Sequence, residues 1–114
     1  MARLKLEAFD TVVVPFPFTD RTASKRRPAL VVSDGQFNLA AHHSVLAMIT
    51  SAEQTRWLAD CSISNLQEAG LTHPCVIRLK LFTLDHRLIL RKAGVLSVAD
   101  QKRLRTAWKG LLVV

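Results

Sequence analysis

In the stretch Ser24-Lys25-Arg26-Arg27-Pro28-Ala29-Leu30-Val31-Val32-Ser33, three consecutive cations stop at a proline and an apolar run begins at once. Pro28 has no backbone N–H to donate, so it suits the first residue of a strand. The residue before a proline is pushed toward extended geometry, so Arg27 leads straight into that strand. Ala29 to Val32 are uncharged and mostly β-favouring, which predicts a buried strand. A guanidinium is thereby held at the mouth of the core by a rigid element. Fixed cations of this kind recognise and stabilise phosphate better than mobile ones.

Working outward, Phe9-Asp10-Thr11-Val12-Val13-Val14 predicts a first strand. Pro15-Phe16-Pro17-Phe18 keeps the chain extended but interrupts pairing, and the polar residues 19–24 form a loop. Two β segments separated in this way predict a hairpin with a long tip. Asp34-Gly35 is a turn signal that ends the second strand. Residues 36–44, with Phe37 and the pair His42-His43, read as irregular or briefly helical. Val45-Leu46-Ala47-Met48-Ile49-Thr50 is a third apolar strand that ends on two hydroxyls, Thr50 and Ser51.

A polar connection follows, with Arg56 and Trp57, then a short edge strand over residues 61–63. Residues 66–70 read as one helical turn closed by Gly70. Residues 75–80 form a further strand in which apolar and basic residues alternate from Ile77 to Lys80, which gives it one wet, positive face. Residues 81–85 continue or bend it. Residues 86–92 read as the last strand, with Ala93-Gly94 as a turn. Ser97 is the N-cap of a helix, with Asp100 in a capping-box position. Leu104, Ala107, Trp108, Leu111 and Leu112 share one face at helical spacing. The expected fold class is α+β: a small, strongly bent sheet or open barrel of about five strands with a terminal amphipathic helix.

The chain has 114 residues, read as one domain over residues 1–114, and is 49% hydrophobic, enough for a real core. Its net charge of +7 calls for an anionic partner, nucleic acid or an acidic protein segment. No apolar run is long enough to span a membrane and no secretory leader is evident, so the expected location is cytoplasmic, with no membrane partner. Cys61 and Cys75 fit neither a C-x-x-C motif nor a zinc spacing and read as free thiols. There is no phosphate-binding glycine loop, no H-E-x-x-H and no nucleophile elbow, so no cofactor and no metal is expected.

What remains is a set of strand-end polar residues around a basic centre. Asp20, Lys25, Arg26 and Arg27 come from one hairpin, Thr50 and Ser51 from the end of the third strand, and Lys80 from the wet strand face. Arg27 and Thr50 converge if the second and third strands lie near each other in the sheet. His42 and His43 point to opposite faces if extended, so they do not make a shared site. Phe16 and Phe18 either stack bases or pack.

The sequence resembles the MazF/PemK (Kid) toxins of bacterial toxin–antitoxin systems. The resemblance is carried, in order along the chain, by Phe9-Asp10-Thr11-Val12-Val13-Val14, Phe16-Pro17-Phe18-Thr19-Asp20, Lys25-Arg26-Arg27-Pro28-Ala29-Leu30-Val31-Val32-Ser33, Ala47-Met48-Ile49-Thr50-Ser51, Ala69-Gly70-Leu71, Thr83-Leu84-Asp85 and Gly94-Val95-Leu96-Ser97. It implies an SH3-like β-barrel of the CcdB/Kid/MazF type, with five to seven strands, that forms a homodimer. It also implies a metal-independent endoribonuclease acting on single-stranded RNA, restrained by an acidic antitoxin and reaching operator DNA through the antitoxin complex. Arg27 and Thr50 match the family's functional pair. Lys25, Arg26, Asp20, Ser51 and Lys80 are expected to line the substrate path.

Two positions depart from the family pattern. Aligning the family's Arg-Thr-Ile-Asp motif on Phe82-Thr83-Leu84-Asp85 puts Phe82 at the arginine and Leu79 at an aspartate that one member uses as general base. Asp20, His73 and His86 are the substitutes on offer. Two other functions stand beside the ribonuclease. One is a catalytically silent nucleic-acid-binding member of the fold. The other is a CcdB-like gyrase poison, whose Trp-Gly-Ile tail is missing from Trp108-Lys109-Gly110-Leu111-Leu112-Val113-Val114.

Overall fold

A computed structural model describes residues 4–16 and 25–114. Its elements in chain order are β1 (Asp10–Phe16), β2 (Lys25–Val31), α1 (Gly35–Ala41), β3 (His43–Ser51), β4 (Cys61–Ser62), β5 (Cys75–Asp85), a 3-10 turn (His86–Leu88), β6 (Arg91–Val95) and α2 (Val98–Trp108). Among the described residues the strands form one antiparallel sheet in the order β4-β5-β3-β2-β1-β6, curled into a half-barrel with α2 at its C-terminal end. This is the expected α+β barrel-like fold.

Both faces of the sheet are buried, which explains why its central strands read as unbroken apolar runs rather than as alternating ones. One face holds Leu30, Ala47, Ile49, Ile77 and Leu96, closed by Leu104 of α2 and by Trp108 at its margin. The other holds Val12, Val14, Ala29, Val31 and Leu46 under Leu6, Leu84 and Ile89. Each β2 and β3 residue in this region therefore faces one of two cores, and a slip of one residue would exchange them.

Several local expectations are corrected. β2 begins at Lys25, so Pro28 is its fourth residue rather than its first. The proline is tolerated because residues 25–28 pair with β1 alone, while the ladder to β3 opens only at Ala29. Residues 86–90 are not strand: Asp85 accepts a hydrogen bond from the Arg87 N–H and caps the 3-10 turn, and β6 starts at Arg91 and includes Ala93 and Gly94. The ambiguous stretch after Gly35 is helical over Gly35–Ala41, capped by the Asp34 carboxylate on the Gln36 N–H. Leu111 and Leu112 lie beyond the end of α2 and are exposed, so the apolar helix face is shorter than its sequence period suggested.

Ser97 caps α2 as expected, accepting from the Asp100 N–H at 3.1 Å. The reciprocal half of the capping box is replaced. The buried Asp100 carboxylate turns to the loop after β4, where it accepts from the Ser64 N–H and hydroxyl and the Asn65 N–H, and it pairs with Arg103. Burial alone would raise its pKa, but the Asn65, Ser64 and Arg103 hydrogen bonds outweigh that and hold it well below the usual carboxylate range.

A carboxylate depressed in the folded state stabilises above its unfolded value, and that contribution is lost as pH falls through the folded one. Asp100→Asn should therefore cost about 2 kcal/mol near neutral pH. In urea unfolding the gap from wild type should narrow progressively below about pH 4. A gap that stays constant down to strongly acidic pH would refute this role.

A candidate nucleic-acid cleft

The cleft begins where β2 and β3 stop pairing. Their register runs Val31↔Leu46, Leu30↔Ala47, Ala29↔Met48 and has no further rung. β2 nevertheless continues back to Lys25, and β3 continues to Ser51 with Thr50 paired to Val76 of β5. Extending the same register sets Arg27 opposite Thr50, on one side of the pleat. Between the two parted strand ends lies a cleft of about 530 Å³.

Its lining includes Lys25, Arg26, Arg27 and Pro28 from β2, and Ile49, Thr50 and Ser51 from β3. Gly70 to His73 and Cys75 form another wall, with Val13, Arg91 and Ala93 completing it. The described lining thus carries four permanent cations and one histidine, and no carboxylate.

Four cations outside the cleft are neutralised by carboxylates. Among the described residues the Arg and Lys ion pairs are Arg78–Asp60 (3.0 Å), Arg87–Asp85 (2.7 Å), Lys92–Asp10 (3.2 Å) and Arg103–Asp100. None involves Lys25, Arg26, Arg27 or Arg91. The cleft therefore carries four cations that no described carboxylate neutralises, which gives it a local positive field. The Arg87 guanidinium holds the Asp85 carboxyl down to about 2, and the Arg78 hydrogen bond lowers Asp60 as well, so these acids stay ionised and keep their partners engaged.

Arg27 is half-buried. Its guanidinium carbon lies 4.7 Å from the centre of the Phe16 ring, and its Nε is buried with no hydrogen-bond partner among the described residues. An arginine that stacks on an aromatic ring keeps the edge of its donor fork free for a planar anion. An orphaned buried donor costs about 1–3 kcal/mol, so something outside the described residues is expected to repay it. Phe16 serves as the platform for this guanidinium.

The other expected residues divide. Lys25, Arg26 and Ser51 line the cleft, with the Ser51 hydroxyl accepting from the Glu53 N–H at 3.2 Å. Lys80 lies away from it, 5.8 Å from the Trp57 ring, beside Arg78 at 4.9 Å from the same ring. Asp20 falls outside the described residues. His73 lines the cleft, whereas His86 is hydrogen-bonded to the Ser44 hydroxyl at 2.8 Å and does not. Phe82, at the position of the family arginine, packs against the second core.

Sequence reasoning missed Arg91. It is placed by pairing alone: Val13 of β1 faces Pro28 on one side and Arg91 on the other. No local pattern announces that a residue so far along the chain joins the Arg27 row. The wall at residues 70–73 is set by glycine. Gly70 takes φ +73° and closes the preceding turn, whose carbonyls accept from Gly70 (3.0 Å, Gln67) and Leu71 (2.9 Å, Leu66). The Thr11 hydroxyl donates to the Ala69 carbonyl at 2.6 Å, which ties the same turn to β1.

The family model for the PemK-like, MazF-like toxin of type II toxin–antitoxin systems matches residues 7–112. The chain belongs to this family. Its fold is similar to that of MazE–MazF (form II) from Deinococcus radiodurans, with a TM-score of 0.71 at 19% identity, covering 95% of each chain. It is also similar to an endoribonuclease in complex with its cognate antitoxin from a mycobacterial species, with a TM-score of 0.69 at 15% identity, covering 90% of this chain and 89% of that one. An endoribonuclease from a mycobacterial species gives a TM-score of 0.70 at 14% identity, covering 94% of this chain and 90% of that one. Among curated proteins none matches. At these identities the structural likenesses speak to the fold, and membership of the toxin family rests on the match over residues 7–112.

Proposed function

We propose that this PemK/MazF-like toxin is a metal-independent endoribonuclease that cleaves single-stranded RNA and is silenced by an acidic antitoxin. The observation that carries the reading is the Arg27 guanidinium, stacked on Phe16 with its buried Nε unpaired among the described residues, lining with Thr50 a cleft whose described walls hold four cations and no acid. In such a site a ribose 2′-hydroxyl attacks the adjacent phosphorus, and the products are a 2′,3′-cyclic phosphate and a 5′-hydroxyl. Negative charge grows on the non-bridging oxygens. Arg27 meets it with a planar fork and Thr50 with a hydroxyl, while Lys25, Arg26 and Arg91 hold the flanking phosphates.

The same positive cleft suits an acidic antitoxin segment, so RNA and antitoxin compete for it. A homodimer in the cytoplasm, with operator DNA bound through the antitoxin complex, completes the proposal. These features follow the family and the charge rather than any interface described above.

The test is digestion of long single-stranded RNA by the pure protein in excess chelator, with analysis of the new ends. Cyclic phosphate and 5′-hydroxyl ends are expected. Intact RNA, or 5′-phosphate ends, would refute the reading. A second reading, a silent nucleic-acid binder, is favoured by Leu79 and by the packed Phe82. Salt-sensitive RNA binding without scission would select it. For the cleft itself, each cation-to-alanine change should reduce the slope of log affinity against log salt by about 0.7 to 1. An unchanged slope in Arg91→Ala would remove that residue from the RNA path.

A further inference from the structure

The geometry points to His73 as the proton-accepting residue of the cleft, a role that rests on the ribonuclease reading above. Attack by a 2′-hydroxyl needs a group to take its proton, and the described lining leaves few choices. Lysine and arginine are protonated at neutral pH as classes. Cys75 also lines the cleft, but burial pushes its thiol up, so it stays neutral. Serine and threonine hydroxyls are not bases. No described lining residue is a carboxylate. The imidazole of His73 is the described lining group left that belongs to a class used as a general base.

Its surroundings suit that task. His73 sits in a short wall fixed at both ends. On one side Gly70 is held by the turn that packs against β6. On the other, the Pro74 carbonyl accepts from the Ala52 N–H at 3.0 Å, which ties the wall to the residue that follows β3. The His73 carbonyl accepts from the Cys75 thiol at 2.9 Å. The ring Nδ1 lies 2.8 Å from the Thr72 hydroxyl oxygen. With Nδ1–H donating to that oxygen, the lone pair is on Nε2, and the same hydrogen bond persists once the ring is protonated. The contact therefore orients the base and also supports the imidazolium it becomes.

In the step itself the 2′-oxygen–phosphorus bond forms as the phosphorus–5′-oxygen bond breaks. His73 Nε2 takes the 2′-hydroxyl proton, the departing 5′-oxygen takes a proton from water, and Nε2 then returns its own proton to the resulting hydroxide. No oxidant, metal or further reactant is consumed. Arg27 and Thr50 stabilise the phosphorus oxygens throughout and exchange no proton.

His73 is exposed, so His73→Ala should keep the wild-type melting curve. Its kcat on single-stranded RNA should fall about 100-fold with a smaller change in KM. The wild-type pH–rate profile should carry an acid limb from this base, and the variant should lose that limb. Added imidazole should restore part of the variant's rate. Asp20→Asn should retain the limb. If His73→Ala keeps both the rate and the limb, or if the limb vanishes in Asp20→Asn instead, the assignment is wrong although the enzyme remains a ribonuclease. If the wild type itself cuts no RNA, the ribonuclease reading falls and this role falls with it.

Discussion

Arg27→Ala should lower kcat/KM for single-stranded RNA by about 100- to 1,000-fold, through kcat more than KM. The reason is the asymmetry between the ground and transition states. Lys25, Arg26 and Arg91 line the same cleft, so ground-state attraction of the RNA backbone largely survives the loss of one cation. In the proposed mechanism the charge that develops at the phosphorus is met by Arg27, which lines the cleft with Thr50. Arg27→Lys separates charge from shape. Lysine keeps the charge but loses the planar fork and stacks less well on Phe16, so it should recover only part of the rate. Single-turnover cleavage by the three proteins measures this directly. Equal rates for all three would remove Arg27 from the chemistry. Because Arg27 makes no ion pair among the described residues, its loss should leave the fold intact.

Gly94→Ala should destabilise the protein by about 3 kcal/mol or prevent folding. A Cβ at this position would lie 2.4 Å from the Glu68 carbonyl oxygen and 2.7 Å from the Ala69 carbonyl carbon. Both are backbone atoms, so no side-chain rotation relieves the clash. β6 and the turn at residues 66–70 are instead pressed together, with the Val95 N–H donating to the Glu68 carbonyl at 3.0 Å. Gly70 meets Ala93 from the other side in the same way, and its φ of +73° independently disfavours a side chain. The contact also sets the wall that carries residues 70–73. A variant that folds should therefore lose activity beyond its loss of stability. Urea unfolding that matches wild type would contradict the close approach. Gly110 provides the control: it too has positive φ, but nothing lies within 4 Å of an added Cβ, so Gly110→Ala there tests strain without a clash.

Much of the fold was legible because its strands are buried on both faces. The runs at Val12–Val14, Ala29–Val31 and Leu46–Ile49 have no polar interruption, and short apolar runs between turn signals mark such strands. Helix α2 declared itself through Ser97 and Asp100, residue types that start helices. The errors lie where tertiary context overrides the local pattern. Leu88-Ile89-Leu90 reads as a strand centre, yet the Asp85 carboxylate captures the Arg87 backbone and winds the chain into a 3-10 turn, leaving Ile89 in the second core. Leu111 and Leu112 fit the helical period, but the helix has already ended at Trp108.

The candidate site was legible in part for the same reason. Arg27 and Thr50 each lie near the end of a recognisable strand, and both line the same cleft. Arg91 and His73 depend on pairings between distant segments: β1 with β6, and the end of β3 with β5. Lys80 was drawn in by strand alternation, but β5 bulges between the rungs Ala47↔Leu81 and Ile49↔Ile77, and Lys80 sits beside Trp57 instead. The charge balance told only that a positive surface exists. Which cations remain unpaired depends on where Asp10, Asp60, Asp85 and Asp100 fall in space.

The most direct measurement is a structure of the protein with a short RNA whose scissile 2′-hydroxyl is replaced by hydrogen, so that cleavage is blocked and the phosphodiester stays in place. One phosphate is expected with its non-bridging oxygens about 2.7–3.0 Å from both the Arg27 guanidinium and the Thr50 hydroxyl. An oligonucleotide seated elsewhere, with Arg27 still on Phe16 and no phosphate between it and Thr50, would contradict it.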